Sequence, residues 1–599
     1  MIAAARRLAL PLVVVLLALM PSAALGHATL QGTTPLAGAV VKKEPDQISF
    51  HFNESVEGNF GAIRVYDRKG ARAETGAAFH PGGKGSDLAT HLKGGLPKGT
   101  YTATYRVISA DGHPVSGGLV FSIGKAGVAG ATVSKLLSER SAAGKVTEVG
   151  FGIARGVQYL SIATAIGAVF FLLAIWIPGL AAVAGADRSW QLASERFVRR
   201  LRGVLGLAIL AGVLSAMLGI AFQGATAAGI SFWSALKSDI VKEVLGTRFG
   251  TVWGIRVLVW LGLGAMLAAA LARSRQPVLR PASVGATGLA LPRPVGRLPL
   301  ALLALPLGFL ALSPALAGHA SLQSPTGVLM PANVIHVVAI SIWSAGLAVL
   351  LFVLPQATRE LEPNDRTRLL ATILARFSTV AGIAFAVIVA TGLIQSYIEV
   401  RTIDHALHTA FGRAALIKFA IVIGPLAALG AYNRRRLVPQ LKQIASAAEP
   451  PGNAGLVLRR SLRAEVLLLL AVFGVTAALV SYPPSTAVSS GPVSKTVSLG
   501  PADLQLTVDP ARVGPNTMHV YLSDKRSGAQ YDKVKELTVK LSQPSKKVGP
   551  IDAGARKAGP GHYVMTSAVF GVTGDWNVQV AARVSEFDAY YSTIKVKIR

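Results

Sequence analysis

The hydrophobic pattern divides the chain into three parts. Long apolar stretches dominate from about residue 150 to 480, whereas both flanking parts alternate apolar and polar residues over short runs. Alternation with a period of two is typical of strands, and apolar stretches of about 20 residues are typical of membrane-spanning helices. We therefore predict a membrane protein with an N-terminal β-sandwich, an eight-helix transmembrane α-bundle and a C-terminal β-sandwich-like domain.

The flanking parts carry the predicted β-domains. Residues 27–125 contain alternating runs such as Gln47–Phe52, separated by turn residues at the spacing typical of a β-sandwich. A small, polar linker is expected at 126–149. Residues 485–599 return to short alternating runs and predict a second, extracytoplasmic β-domain.

The middle part, residues 150–482, predicts eight spanning helices. They are expected at about 154–181, 203–229, 250–272, 298–317, 332–354, 377–397, 412–432 and 461–481. Arginines are concentrated after the odd-numbered helices, for example at Arg199, Arg200 and Arg434–Arg436. Because Lys and Arg favour cytoplasmic loops, we expect these loops in the cytoplasm and both ends of the bundle outside it.

The first 26 residues have the pattern of a secretory signal peptide. Arg6 and Arg7 precede an apolar run, which closes with small residues at Ala24–Gly26. Cleavage after Gly26 would export the first β-domain, in agreement with the charge distribution.

The amino-acid composition of the chain excludes several classes of protein. The chain is 51% hydrophobic and 15% charged, with a mean hydropathy of +0.49, as expected of a protein in a lipid bilayer. The net charge of +30 would suggest nucleic acid in a soluble protein, but much of the basic excess lies in loops between apolar segments and no nucleic-acid motif is present. The absence of cysteine excludes disulfides and thiolate metal sites. No ATP-binding loop is found.

Three residues of the first β-domain predict a metal site. Cleavage after Gly26 would give His27 a free α-amine, which can chelate one ion together with the imidazole Nδ1. Asp111 and His113 are two positions apart, so on an extended strand they point to the same face. This nitrogen and oxygen set suits tetragonal Cu(II). The alternative is that Asp111–Pro114 is only a turn that ends a strand.

A second group of residues lies in the predicted bundle. His336 falls in the outer part of the fifth helix, where an ionisable residue usually faces protein or a cavity. His319 and Met330 precede it, near the outer end of the fourth helix. These three residues are a candidate relay for copper, with Cu(I) as the alternative oxidation state inside the membrane. The competing interpretation is that His336 bonds to a neighbouring helix and His319 is a loop residue.

The N-terminal motifs resemble a known family. His27–Leu30, Thr34–Gly38 and Ser109–Gly117 are similar to the motifs of CopC-type periplasmic copper-binding domains. The resemblance implies that His27, Asp111 and His113 bind Cu(II). Some members have an additional Met-rich Cu(I) site, but this domain has no methionine, so it resembles the Cu(II)-only kind.

The bundle and the last domain carry weaker resemblances. The bundle is similar to the CopD copper resistance family through Leu245–Gly250, Gly318–Ala320, Phe411–Arg413 and Asn433–Arg436. The last domain loosely resembles YtkA-like modules through Gly561–Tyr563 and Gly574–Val578. Together these resemblances imply a multi-pass protein of the bacterial plasma membrane, with both β-domains on the periplasmic or extracellular side. Periplasmic copper chaperones or cuproproteins are the implied partners.

The predicted function is capture of Cu(II) outside the cytoplasm and its transfer to the bundle, for copper uptake, homeostasis or resistance. We expect no enzymatic activity. Two alternatives remain open at the level of sequence. One is a copper-dependent oxidoreductase built on the N-terminal histidine chelate, and the other is a membrane-anchored copper sensor or scaffold without transport.

Overall fold

The protein is described by a computed structural model. It describes residues 28, 30–36, 39–110, 112, 114–124, 136, 144–185, 187–274, 297–482, 493–509, 511–526 and 531–598. The chain forms two compact units. One is helical and contains Glu148–Gln223 and Val244–Thr486, and the other contains His27–Thr147, Gly224–Glu243 and Ala487–Arg599.

The N-terminal part is a sandwich of two sheets. Its strands are β1 (Leu30–Thr34), β2 (Val40–Val41), β3 (Gln47–Phe52), β4 (Val56–Glu57), β5 (Ile63–Tyr66), β6 (Glu74–Phe79), β7 (Asp87–Leu92), β8 (Gly99–Ser109) and β9 (Pro114–Ile123). One sheet has the order β1-β3-β7-β6 and the other β2-β9-β8-β4, with β5 also paired to β8. This arrangement confirms the predicted fold of the domain.

Alternation along β3 shows how sequence builds this sandwich. Ile48, Phe50 and Phe52 are buried, whereas His51 between them is exposed. The ring of Phe50 lies 5.1 Å from that of Tyr105 on the facing sheet. Burial of such aromatic side chains contributes roughly 1.5–3 kcal/mol each, so the period-two pattern fixes which face of the strand forms the core.

The helical unit contains long apolar helices. We label the helices α1 (Gly144–Val183), α2 (Arg188–Ala228), α3 (Ser238–Leu245), α4 (Arg248–Ser274), α5 (Arg297–Leu316), α6 (Thr326–Ala357), α7 (Pro363–Glu399), α8 (Ile403–His408), α9 (Ala410–Ser446) and α10 (Gly452–Leu479). Seven helices in the described part of the chain are long and apolar enough to cross a membrane: α1, α2, α4, α6, α7, α9 and α10.

α5 accounts for the difference between the eight predicted spans and the seven long apolar helices. The helix expected at 298–317 is present as Arg297–Leu316, of which Leu302–Leu316 is the part whose side chains are described. The whole helix rises about 30 Å at 1.5 Å per residue, close to the thickness of a bilayer core. It also contains Pro306 and Pro314. The described part of the chain therefore has seven long apolar helices and, in α5, one further apolar helix.

Prolines explain irregular turns in the spans. The helices α1, α6 and α9 contain π-helical turns at Phe171–Trp176, Val349–Val353, Val422–Leu426 and Asn433–Leu437. Because proline has no N–H, the carbonyl four residues before it loses its α-helical donor. Pro178, Pro355 and Pro439 each lie four residues after a carbonyl within one of these turns. The helix widens locally at these points.

Close packing holds the bundle together. Trp176 of α1 stacks on Phe197 of α2 with ring centroids 3.8 Å apart and an interplanar angle of 5°. At Gly167, an added Cβ would lie 2.1 Å from the Ser341 carbonyl oxygen of α6. The α1 and α6 backbones therefore approach closely because this position has no side chain.

The C-terminal part is a second two-sheet sandwich. Its strands are β10 (Val493–Leu499), β11 (Ala502–Asp509), β12 (Gly514–Asp524), β13 (Glu536–Gln543), β14 (Val548–Asp552), β15 (Arg556–Gly559), β16 (His562–Phe570), β17 (Gly574–Arg583) and β18 (Ala589–Ile598). The sheets have the orders β10-β11-β12-β16-β15 and β14-β13-β17-β18. Trp576 is fully buried in the core between them. The predicted β-rich C-terminal domain is confirmed.

Candidate metal sites

The predicted Cu(II) ligands His27, Asp111 and His113 lie outside the described residues. Residues next to them in the chain are described. Ala28 is fully buried, and its backbone N donates to Oγ of Ser109 at 3.3 Å. Ser109 ends β8, two residues before Asp111. The segment that follows His27 therefore lies against the strand that leads to Asp111.

The turn between β8 and β9 is tight. Ile108 pairs with Pro114 across the two strands, and the Gly112 N–H donates to the Ser109 carbonyl at 2.8 Å. Gly112 has φ +86°, a conformation that glycine adopts without steric cost. A turn is thus present between Ser109 and Pro114, as in the alternative interpretation, and the extended strand assumed for the predicted ligand pair is interrupted here.

One carboxylate beside this turn was missed in the sequence. Oγ of Ser109 donates a hydrogen bond to Oε1 of Glu54, so Glu54 and Ala28 meet at the same hydroxyl group. Glu54 lies between β3 and β4. A single acidic residue after a strand has no motif that would identify it, because its relevance comes from long-range pairing of the strands.

The other histidines of this domain have structural partners. Nδ1 of His51 pairs with the carboxylate of Asp87, and Nδ1 of His80 lies 2.7 Å from the Asp87 carbonyl oxygen. The His91 ring stacks on Phe79 with centroids 4.7 Å apart. These contacts support the sheet that contains β7, and we assign them no role in metal binding.

The N-terminal domain also contacts the segment Gly224–Glu243, which belongs to the same unit. Nε and Nη2 of Arg106 donate to the carbonyls of Ala227 and Thr226, at 3.0 and 2.7 Å. The Phe60 N–H donates to Oε2 of Glu243 at 2.8 Å. Such side chain–backbone contacts have no sequence signature, and the sequence did not predict them.

In the bundle, His336 lies on α6 and faces α7. Its Nδ1 is 2.9 Å from Oγ1 of Thr391. The Thr391 hydroxyl itself donates to the Val387 carbonyl at 2.6 Å, and it has only one hydrogen. His336 must therefore donate from Nδ1 to Thr391, which leaves the lone pair on Nε2. The bond to a neighbouring helix, which was the competing interpretation of His336, is present.

Met330, another residue of the candidate relay, does not share that face. Met330 is six residues before His336, so helical geometry separates the two by roughly 120° around α6 and about 9 Å along it. Met330 packs instead near Ala320 and Ile398. The backbone of His319 lies in the short turn His319–Ser321, and its side chain is outside the described part.

A polar group that the sequence did not single out lies deeper in the bundle. A cavity of about 330 Å³ is lined mostly by apolar side chains, together with Asn433, Arg434 and Glu465. Glu465 is 2% exposed, and Oε1 accepts a hydrogen bond from Nδ2 of Asn433. The sequence alone could have indicated Glu465, because an acidic residue inside a predicted membrane span is a candidate functional residue.

Sequence comparisons decide the relationship to known proteins. Residues 30–124 match the CopC domain family, residues 146–328 match the N-terminal domain family of copper resistance protein D-like proteins, and residues 371–479 match copper resistance protein D. The copper transport protein CutJ of Bacillus subtilis (strain 168) is 31% identical over 431 residues, which cover 70% of this chain and 71% of CutJ. The chain belongs to the CopC–CopD copper transport and resistance family.

Two smaller relatives match the N-terminal domain alone. Protein YobA of Escherichia coli (strain K12) is 31% identical over 123 residues, which are 99% of YobA and 20% of this chain. The crystal structure of CopC from Methylosinus trichosporium OB3b is 28% identical and is covered to 93%, against 16% of this chain, with a TM-score of 0.15. Nearly the whole of YobA is thus matched by the N-terminal part of this chain.

The family assignment confirms most of the coarse predictions. The CopC and CopD resemblances are correct, and the chain is a multi-pass membrane protein related to copper transport and resistance proteins rather than to named enzymes. The resemblance of residues 485–599 to YtkA-like modules stays a prediction.

Proposed function

We propose that this protein captures Cu(II) outside the cytoplasm with its N-terminal domain and passes copper to the transmembrane bundle for uptake, homeostasis or resistance. One observation carries the proposal. The bond from Ala28 to Ser109 draws the start of the mature chain to the strand that leads to Asp111. Membership of the CopC–CopD family supports copper as the cargo.

In this proposal the His27 amine and imidazole, Asp111 and His113 hold the ion. A free amine of ordinary pKa, about 7.7–8.0, must lose its proton to bind metal. Copper affinity should therefore fall as the pH drops below about 8. Glu54 accepts from Ser109 and orients the turn, and its negative charge favours a cation nearby.

Three features support onward transfer. The contacts of Arg106 and Phe60 hold the capture domain against the segment Gly224–Glu243. The bond from His336 to Thr391 leaves the imidazole Nε2 free to act as a ligand. The cavity beside Glu465 offers carboxyl oxygens inside the spans. We propose that copper meets these groups in succession, with Met330 and His319 on the approach to His336, and that both β-domains face the outside.

The experiment that tests capture compares two forms of the isolated N-terminal domain, residues 27–124. The domain has its own core, and relatives such as YobA consist of this domain alone. One form begins at His27 and the other carries one additional residue before it. We expect tight 1:1 Cu(II) binding by the first form and a loss of at least tenfold in affinity for the second, measured by calorimetric titration.

Equal affinities would show that internal residues hold the ion, and the N-terminal chelate would be rejected. If neither form binds Cu(II), capture by this domain is excluded. Cellular copper accumulation by the wild type and by His336→Ala then separates transport from a scaffold role, because a scaffold would tolerate the loss of His336.

A further inference from the structure

The second sandwich contains two buried histidines that the proposed pathway does not use. His519 on β12 and His562 on β16 are each 3% exposed. Nδ1 of His519 lies 3.2 Å from Nε2 of His562, and the two rings stack at a centroid distance of 5.4 Å. Tyr521 lies directly opposite His562 and stacks on it at 4.4 Å. The two imidazoles therefore converge on one point.

The pair lies on the face of its sheet that is turned away from the sandwich core. Met518 and Met565, which pair across the same two strands, are buried in that core. Adjacent residues on a strand point to opposite faces. The thioethers are thus directed away from the imidazoles, and the nitrogen atoms are the donors that this face offers.

Hydrogen bonding leaves the pair incompletely satisfied. One ring nitrogen donates to the other, and Nε2 of His519 is buried without a partner among the described residues. An unsatisfied buried polar atom costs about 1–3 kcal/mol, so the hydrogen bonds of the described residues do not account for this pair by themselves. A metal between the facing nitrogens would use the lone pairs of both, and the proton that the two nitrogens now share would move to the outer nitrogen of its own ring.

We propose that His519 and His562 form a second copper site of this protein, selective for Cu(I). With imidazole–metal bonds of about 2.0–2.1 Å, the observed nitrogen separation gives a nitrogen–metal–nitrogen angle of roughly 100°. That angle suits an ion of three or four ligands, so positions remain for an exchanging ligand. The choice of copper rests on the proposed function.

The lack of a compensating negative charge beside the two histidines favours Cu(I) over Cu(II). Within the described part of the chain, no Asp or Glu joins the pair to make a group of three metal-binding side chains. Two neutral imidazoles in a buried setting offer no anion to compensate the ion. Because the desolvation cost rises with the square of the charge, a monovalent ion is favoured over a divalent one.

The surroundings also keep both rings neutral. Burial lowers the pKa of His519 to about 4, and burial together with repulsion from His519 lowers the pKa of His562 to about 3. The neighbouring positions on this face are Tyr521, Thr507 and Gln505, with the exposed Arg556 opposite Val564. The lone pairs therefore remain available in mild acid, in contrast to those of an ordinary amine or histidine.

The test uses the full chain in detergent. Cu(I) is titrated under anaerobic, reducing conditions against a chromophoric Cu(I) chelator, with wild type, the double variant His519→Gln/His562→Gln and the control His91→Gln. We expect the double variant to bind one equivalent less than the wild type and the control to bind as the wild type. At about pH 5, that equivalent should remain in the wild type, whereas an amine chelate is lost.

Equal Cu(I) stoichiometry in the wild type and the double variant would overturn the proposal, provided that limited proteolysis shows an intact C-terminal domain. If the double variant does not fold, two other measurements test the site. Saturating Cu(I) should raise the thermal midpoint of the wild type. The single variant His519→Gln should bind Cu(I) at least tenfold more weakly than the wild type. Absence of both effects rejects the site. The N-terminal titration lacks residues 519 and 562, so the two proposals fail separately.

Discussion

Ser109 connects two parts of the chain that are distant in sequence. Its hydroxyl accepts from the Ala28 N–H and donates to Glu54. The hydroxyl hydrogen of Ser109 is therefore used in the bond to the Glu54 carboxylate, and a lone pair of the hydroxyl oxygen accepts the bond from the Ala28 backbone. A single side chain thus connects Ala28 and Glu54 at the end of β8.

Glu54 provides the test at the residue scale. We expect Glu54→Gln in the N-terminal domain to weaken Cu(II) binding by on the order of tenfold, because groups that orient metal ligands typically contribute 10–100-fold. Calorimetric titration of Cu(II) measures the change. Glu44→Gln is the matched control, since Glu44 accepts from the backbone N–H groups of Gly95 and Leu96 instead. Unchanged affinity in Glu54→Gln would remove Glu54 from the site.

The sequence could predict some site residues and not others for identifiable reasons. His27, Asp111 and His113 were recognisable because their spacing and chain position define a chemistry. The opposite orientation of Met518 and His519 also follows from strand geometry. The pairing of His519 with His562 does not, because it depends on the antiparallel register of β12 and β16, which neighbouring residues do not encode.

At the scale of elements, the hydropathy pattern located the helices but not their ends. The prediction of 203–229 corresponds to α2, which begins at Arg188. The additional turns are rich in Arg and are helical outside the apolar window. A hydropathy pattern identifies only the apolar part of a helix. The backbone hydrogen bonds of the helix can continue beyond that part into polar sequence.

The contact between α1 and α6 gives a prediction at this scale. At Gly167, the Cβ of an alanine would also lie 2.5 Å from Cβ of Ala345, so the two helices must move apart. We expect Gly167→Ala to destabilise the bundle by roughly 1–3 kcal/mol, seen as a lower thermal midpoint in detergent. Gly262→Ala on α4 is the control, because nothing lies within 4 Å of its added Cβ. Identical midpoints for the two variants would contradict a close helix contact at Gly167.

At the scale of the whole molecule, α5 decides the topology. Its Leu310 packs near Trp260 of α4, and its Ser313 accepts from Nε of Arg256 at 2.8 Å. The helix is therefore built into the same core as the long spans. If it crosses the membrane together with them, the chain makes an even number of crossings and both β-domains lie on the same side.

The chain has no cysteine, so a single introduced cysteine is the only thiol that a maleimide can label in it. Lys69→Cys, Glu586→Cys and Gln443→Cys introduce exposed thiols in the first sandwich, the last sandwich and the end of α9. We expect an impermeant maleimide to label the first two in intact cells and Gln443→Cys only after permeabilisation. Labelling of Lys69→Cys and Gln443→Cys with protection of Glu586→Cys would mean that α5 does not cross.

The burial of Ala28 has a consequence for when the protein first meets copper. Ala28 is held at the end of β8 by its hydrogen bond to Ser109. On the proposed ligand set, the α-amine appears only when the signal peptide is cut. The precursor would then be unable to bind Cu(II) in the cytoplasm. Cleavage of the signal peptide at the membrane would have to come before the site can bind metal.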